Sequence, residues 1–148
     1  KFDVFLLNRV TSGRPLQTLA WNLLHHYGLS KLFAMDWDRL RNFLAHVESQ
    51  YQANPYHCAI HAADVLQSTH FFLHTYNLAT HLQAVDVLAL LLAAVVHDID
   101  HDGKSNEFHK QSLTDIALRH NNRSVLENHH LSSIFCDMQA RPEIDILR

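Results

Sequence analysis

The chain has 148 residues, 47% of them hydrophobic, and a formal charge of −3. That suffices for one domain, or part of one, with a real core, and it lacks the basic footprint of a nucleic-acid or anionic-membrane binder. The longest apolar run, Val87 to Val96, is ten residues, too short to span a bilayer; Cys58 and Cys136 make no disulfide framework and suit a reducing compartment, so a cytoplasmic location is expected.

Taken in order, the chain reads as helix after helix. A short helix is expected around Val4–Asn8. Ser12-Gly13-Arg14-Pro15 is a start signal, Leu16, Leu19, Ala20, Leu23 and Leu24 form an apolar stripe, and Gly28 ends that helix. Asp36 caps the next, whose stripe is Trp37, Leu40, Phe43, Leu44, Val47 and Tyr51. A helix from His61 to about Leu78, a connection over Asn77–Gln83 and a helix from about Ala84 to His97 follow. Ser105 or Asn106 caps a short helix to Gln111 and Thr114 another to Arg119, with Asn121-Asn122 as the exit turn. Ser124 caps a last helix carrying Val125, Leu126, Leu131, Ile134, Phe135 and Met138, which Pro142 limits. No segment alternates as a strand does, so the expectation is an all-α bundle of six to eight helices. Fourteen histidines outnumber the twelve Lys plus Arg; His25, His26, His46, His74 and His81 are read as surface residues.

Two segments carry chemistry. The apolar run stops in Val96-His97-Asp98-Ile99-Asp100-His101-Asp102-Gly103, where buried imidazoles and carboxylates are expensive unless paired or bound to metal. His97 and Asp98 offer a nitrogen and an oxygen side by side, a mix that suits zinc, iron or manganese; the alternative is a polar helix end with solvated side chains. Upstream, His57 and His61 stand four apart and share one helix face. Consecutive helices joined by a short connection pack antiparallel, and at about 1.5 Å per residue the two legs match. That geometry brings His61, His97 and Asp98 to one end of a helical hairpin.

These motifs, with Ser124-Val125-Leu126-Glu127-Asn128-His129-His130, resemble the catalytic domain of class I cyclic-nucleotide phosphodiesterases, the HD-type metal hydrolases. The resemblance covers essentially the whole chain, residues 1–148, as the N-terminal part of such a domain. It implies an enzyme that hydrolyses 3′,5′-cyclic nucleotides, cAMP and/or cGMP, to 5′-monophosphates in signal transduction through a metal-bridging hydroxide. It implies two divalent ions, zinc held by His61, His97 and Asp98, and magnesium or manganese reached through Asp98. It makes His57 the general acid for the O3′ leaving group, Asp64 an orienting carboxylate, and His101, Glu127 and His130 groups that hold waters or orient others. Asn106 would line the site. The family's other metal-ligating Asp, its base-recognising Gln and its aromatic clamp would lie beyond Arg148. The partner is the cyclic nucleotide, with no nucleic acid and no membrane contact in this segment.

Each role has a plainer rival. His57 could pack at a helix entry, and Glu127 could serve the first-turn electrostatics of its helix. His129 is read as structural, and Asp100 receives no catalytic role. Cys58 stands where the family usually has Asn, which is expected to alter a hydrogen bond near His57. Asp102 stands where Pro is common and is expected to loosen its turn. The rival functions are an HD-type hydrolase of another phosphate ester and a truncated, non-catalytic metal- or partner-binding fragment.

Overall fold

Short polar side chains open several of the helices in a computed structural model that describes residues 2–148. Asp3 accepts from Leu6 N–H at the start of α1, Val4–Val10. Asp36 accepts from the amides of Asp38 and Arg39 and opens α4, Trp37–Gln50. Gln83 and Asp86 form a reciprocal capping box on α6, Ala84–Val96. Ser105 caps α7, Asn106–Gln111, and Thr114 caps α8, Asp115–Arg119. With α2 (Pro15–His26), α3 (Leu29–Leu32), α5 (Ala59–Thr75) and α9 (Val125–Ala140), the described residues hold nine α-helices, two 3-10 turns at Leu78–Thr80 and Pro142–Ile144, and no strand. The all-α expectation stands.

The helix beyond the expected eight is α3. Gly28, at φ +67°, turns the chain out of α2 while its N–H bonds the His25 carbonyl at 2.9 Å; a left-handed φ costs glycine no Cβ clash. The chain then re-enters a single helical turn that buries Leu29 and Ser30. Four residues are too few for a periodicity to register.

The start of α9 also differs from expectation. Ser124 takes a left-handed φ of 38° and makes no side-chain capping bond. Asn106 supplies the cap instead, its Oδ1 accepting from Leu126 N–H at 2.8 Å. Across the sequence, Glu48 of α4 does the same for α2: its carboxylate, buried, accepts from Leu16 N–H at 2.8 Å and from the Gln17 side-chain amide. Burial lifts the Glu48 carboxyl above its usual range although both bonds work against it.

α2 lies across α4 and α5, and α5 packs on α6. Their contact residues, Leu16, Leu24, Leu44, Leu66, Leu91 and Val95, are almost wholly buried. α9 adds Ile134 and Met138 to the same core. Several expected stripe residues stay outside it. Trp37, 47% exposed, lies on the surface against Trp21 and His25, and Leu131 and Phe135 are also exposed. His25, His26, His74 and His81 are exposed as expected. His46 is not: its side chain is buried and its Nε2 meets Asp137 at 2.7 Å.

Truncation at Glu48 should cost about 1–3 kcal/mol of stability, because the buried Leu16 N–H at the start of α2 loses its acceptor. Urea unfolding of Glu48→Ala measures it.

Candidate metal centre

His61 stands in the first turn of α5, and His97 and Asp98 follow the last residue of α6. The hairpin brings these ends together. His61 Nε2 and His97 Nε2 are 3.3 Å apart, and Asp98 Oδ2 lies 3.4 Å from the first and 3.2 Å from the second. Among the described residues, these three form the group whose ligand atoms converge closely enough to hold a metal ion.

The triangle fits such an ion. Bonds of about 2.0–2.2 Å at tetrahedral angles place neighbouring ligand atoms about 3.3–3.6 Å apart. The donor set of two imidazoles and a carboxylate is also one that zinc takes. His97 Nδ1–H donates to the Ala94 carbonyl at 3.0 Å, which leaves the Nε2 lone pair directed at the other two ligands; a backbone acceptor fixing the tautomer is what a ligating imidazole needs. Two imidazole nitrogens and a carboxylate oxygen meeting edge to edge repel one another unless a cation, proton or metal, sits among them. The protonation pattern agrees. Burial, then the nearby His97, holds His61 below the usual histidine range. Burial opposes a proton on His97 as well, but its bonds to Asp98 and Ala94 outweigh this and raise it. Burial pushes the Asp98 carboxyl up, yet the His97 bond and charge prevail and hold it at about 2.

The other expected residues gather around this point to different degrees. The His57 ring stacks on His101, centroids 3.8 Å apart and planes within 8°, and lies 6.0 Å from the His61 ring. His101 accepts from Gly103 N–H through Nδ1 at 2.9 Å; burial, then His57, keeps its pKa low. His130 is buried, its Nδ1–H donating to the Ile99 carbonyl at 2.6 Å. Burial depresses its pKa, and its Nε2 faces Asp98 Oδ1 at 3.9 Å. Glu127 is exposed and bonded through both oxygens to Asn106 Nδ2, at 3.2 and 3.0 Å. That bond is the first cause of its lowered pKa. Asn106 is thus occupied with the start of α9 and with Glu127. Asp64 is exposed and shares with His61 and Cys58 a cavity of about 290 Å³ against α1.

The remaining carboxylates of the motif have their own partners. Asp100, at φ +58°, accepts from Gln52 Nε2 at 2.9 Å and faces His129 Nε2 at 3.0 Å, so the two side chains are engaged with each other and with Gln52. Asp102 accepts from Lys104 N–H at 3.0 Å and approaches His109 Nε2 at 3.3 Å. The turn expected to loosen is tied by those contacts. Cys58 precedes α5 without a side-chain capping bond, a service Asn at that position performs well.

Sequence reasoning missed the segment 51–54, which straps this turn in place. The Tyr51 hydroxyl donates to the Val95 carbonyl at 3.0 Å and accepts from Asp98 N–H at 3.4 Å. Gln52 holds Asp100, and Asn54 Nδ2 donates to the carbonyls of His101, at 2.6 Å, and His57, at 3.2 Å. Asn54 Oδ1 lies 3.1 Å from where a Cβ on Gly103, at φ +79°, would stand. The one signal available was Asn54-Pro55 leading into Tyr56-His57.

The chain is similar to known proteins of one family. A family model described as 3′5′-cyclic nucleotide phosphodiesterase matches residues 56–148. The chain is 44% identical over 140 residues, 93% of its length, to the Mus musculus dual specificity calcium/calmodulin-dependent 3′,5′-cyclic nucleotide phosphodiesterase 1B, of which it covers 26%. It is 43% identical over 136 residues, 90% of its length, to the Caenorhabditis elegans probable 3′,5′-cyclic phosphodiesterase pde-1, of which it covers 20%. The chain therefore spans about a quarter of the length of the curated relatives it matches. The crystal structure of the phosphodiesterase domain of the RhoPDE fusion protein from Salpingoeca rosetta superposes with a TM-score of 0.82 at 34% identity, covering 90% of this chain and 41% of that one.

Zinc added to the chain should raise its thermal midpoint by mass action, by about 2.7 kcal/mol of stability at a hundredfold excess over the dissociation constant. His97→Ala should abolish the shift and His81→Ala, at an exposed position on the α5–α6 connection, should keep it.

Proposed function

The chain belongs to the 3′,5′-cyclic nucleotide phosphodiesterase family, and we propose that residues 1–148 form the N-terminal part of a catalytic domain that hydrolyses 3′,5′-cyclic nucleotides to 5′-monophosphates. The observation that carries this reading is the ligand triangle of His61, His97 and Asp98 with a stacked histidine pair beside it. In this reading the three side chains hold a zinc ion. Asp98 Oδ1, outside the triangle on the His130 side, is left for a magnesium or manganese ion. When bound, the ions supply charge neutralisation on the phosphate and acidify water.

The chain's own residues do the rest. His57, held against His101, gives its proton to O3′ as the P–O3′ bond breaks, since a histidine can carry and release a proton near neutral pH. His130, kept neutral by burial, presents a free Nε2 that accepts from water near Asp98. His101 orients His57 by stacking, Glu127 faces the site's edge on Asn106, and Asp64 adds negative charge beside His61. The mouse relative's name states dual specificity, and we extend it to this chain: both cAMP and cGMP are substrates, in signal transduction. Two free cysteines suit a cytoplasmic setting, and no helix among the described residues is long and apolar enough to cross a membrane.

A second reading, a fragment that binds metal without turnover, is favoured by the triangle's having three protein ligands. Turnover of cAMP, cGMP and simple phosphate diesters by this chain and by the longest natural chain containing it separates the readings. Hydrolysis of simple esters alone would sink the cyclic-nucleotide assignment.

In the active protein, His57→Ala should lower kcat about 10²–10⁴-fold, the usual worth of a positioned general acid, while zinc measured by elemental analysis is retained. Loss of zinc, or an unchanged kcat, would remove His57 from the proton-donor role.

A further inference from the structure

We infer that Tyr51 is a positioning residue for the metal centre: its hydroxyl, inserted into the end of α6, sets the turn that delivers Asp98 to His61 and His97. The inference rests on the metal-binding reading above and deepens it.

Val95 and Asp98 are three residues apart, the spacing at which a helix end closes by a direct N–H to carbonyl bond, one of the ways terminal carbonyls are satisfied. Here the Tyr51 hydroxyl lies between the two groups. It donates to the Val95 carbonyl at 3.0 Å and accepts from Asp98 N–H at 3.4 Å. A side chain inserted into the helical ladder bends the chain at that point. Ile99 N–H closes directly on the Val96 carbonyl at 3.2 Å, whereas the peptide before Asp98 gives its N–H to the phenol oxygen. The carboxylate that this peptide carries is the one whose Oδ2 completes the triangle at 3.2 and 3.4 Å.

Tyr51 can do this because its own place is fixed. Its ring follows the last turn of α4 and is buried in the core. Its hydroxyl is buried against the Val95 carbonyl, and a phenol keeps its proton at neutral pH. A protonated hydroxyl can donate and accept at once, which both bonds require. The contact joins α4 to α6 and to the ligand turn without passing through α5, so it constrains Asp98 independently of the hairpin.

The test compares Tyr51→Phe with Tyr27→Phe. Both remove one hydroxyl, but that of Tyr27 bonds His70 Nδ1 at 2.9 Å, away from the centre. Zinc affinity is measured on the 148-residue chain by competition with a chromophoric chelator, and metal-free stability by urea unfolding. Without the Tyr51 hydroxyl the turn closes directly and Asp98 swings off the triangle. Zinc affinity should then fall about 10–100-fold, as it does when a group orienting a ligand is removed, while Tyr27→Phe leaves it unchanged. Unchanged affinity in Tyr51→Phe overturns the inference even if metal-free stability falls, because the hydroxyl would then serve the fold alone. Absence of zinc binding in the unsubstituted chain overturns the metal-centre reading itself and the inference with it. Should Tyr51→Phe not fold, amide exchange in the unsubstituted chain decides: Asp98 N–H protected before zinc is added supports a preset turn, and protection only after zinc refutes it.

Discussion

The candidate centre rests first on the packing of α5 against α6. Leu66 on one helix and Leu91 and Val95 on the other are almost wholly buried, and burial of such side chains is worth about 1.5–3 kcal/mol each. That apolar contact fixes the distance between a histidine at the head of one helix and a histidine and an aspartate at the foot of the next. The polar groups could not hold this arrangement alone, since two imidazole nitrogens and a carboxylate repel in the absence of a cation. The core therefore holds together a set of groups that would otherwise separate, and this is how a site comes to be preorganised for an ion.

Around that hairpin the motif His97 to Asp102 divides its charges. Asp98 turns toward the histidines of the centre, Asp100 toward Gln52 and His129, and Asp102 toward Lys104 and His109. Three carboxylates within five residues would repel if they faced one point. The left-handed backbone at Asp100, a conformation that aspartate tolerates better than most residues, helps to separate them. One carboxylate faces the centre and two hold the turn that carries it.

The parts legible in the sequence were those governed by local rules. Helix periodicity and cap residues pointed to eight of the helices, and helix arithmetic placed His61 beside His97 and Asp98. The parts that were not legible rest on long-range bonds, which leave no periodic trace. Glu48 caps α2, Asn106 rather than Ser124 caps α9, and Tyr51, Gln52 and Asn54 reach across to the ligand turn. Tyr51 read as one more apolar residue on a helix stripe because its ring is indeed core; its hydroxyl carries the added role. Apolar stripes were over-read where a helix is apolar on more than one face. In α9, Ile134 and Met138 enter the core while Leu131 and Phe135 face outward, so the pattern alone could not say which side was buried.

Gly103 and Asn54 show how the site limits sequence drift. A methyl group at position 103 would meet Asn54 Oδ1 at 3.1 Å on a backbone already at φ +79°. Asn54 cannot yield freely, because its amide nitrogen joins the loop of His57 to the turn of His101. A side chain at 103 would therefore strain the backbone and press Asn54 aside, and a smaller residue at 54 that relieved the contact would lose the bonds that join the two histidine loops. The two positions, remote in the chain, are thereby coupled: a change at 103 is felt at Asn54 and, through its amide, at the loops of His57 and His101.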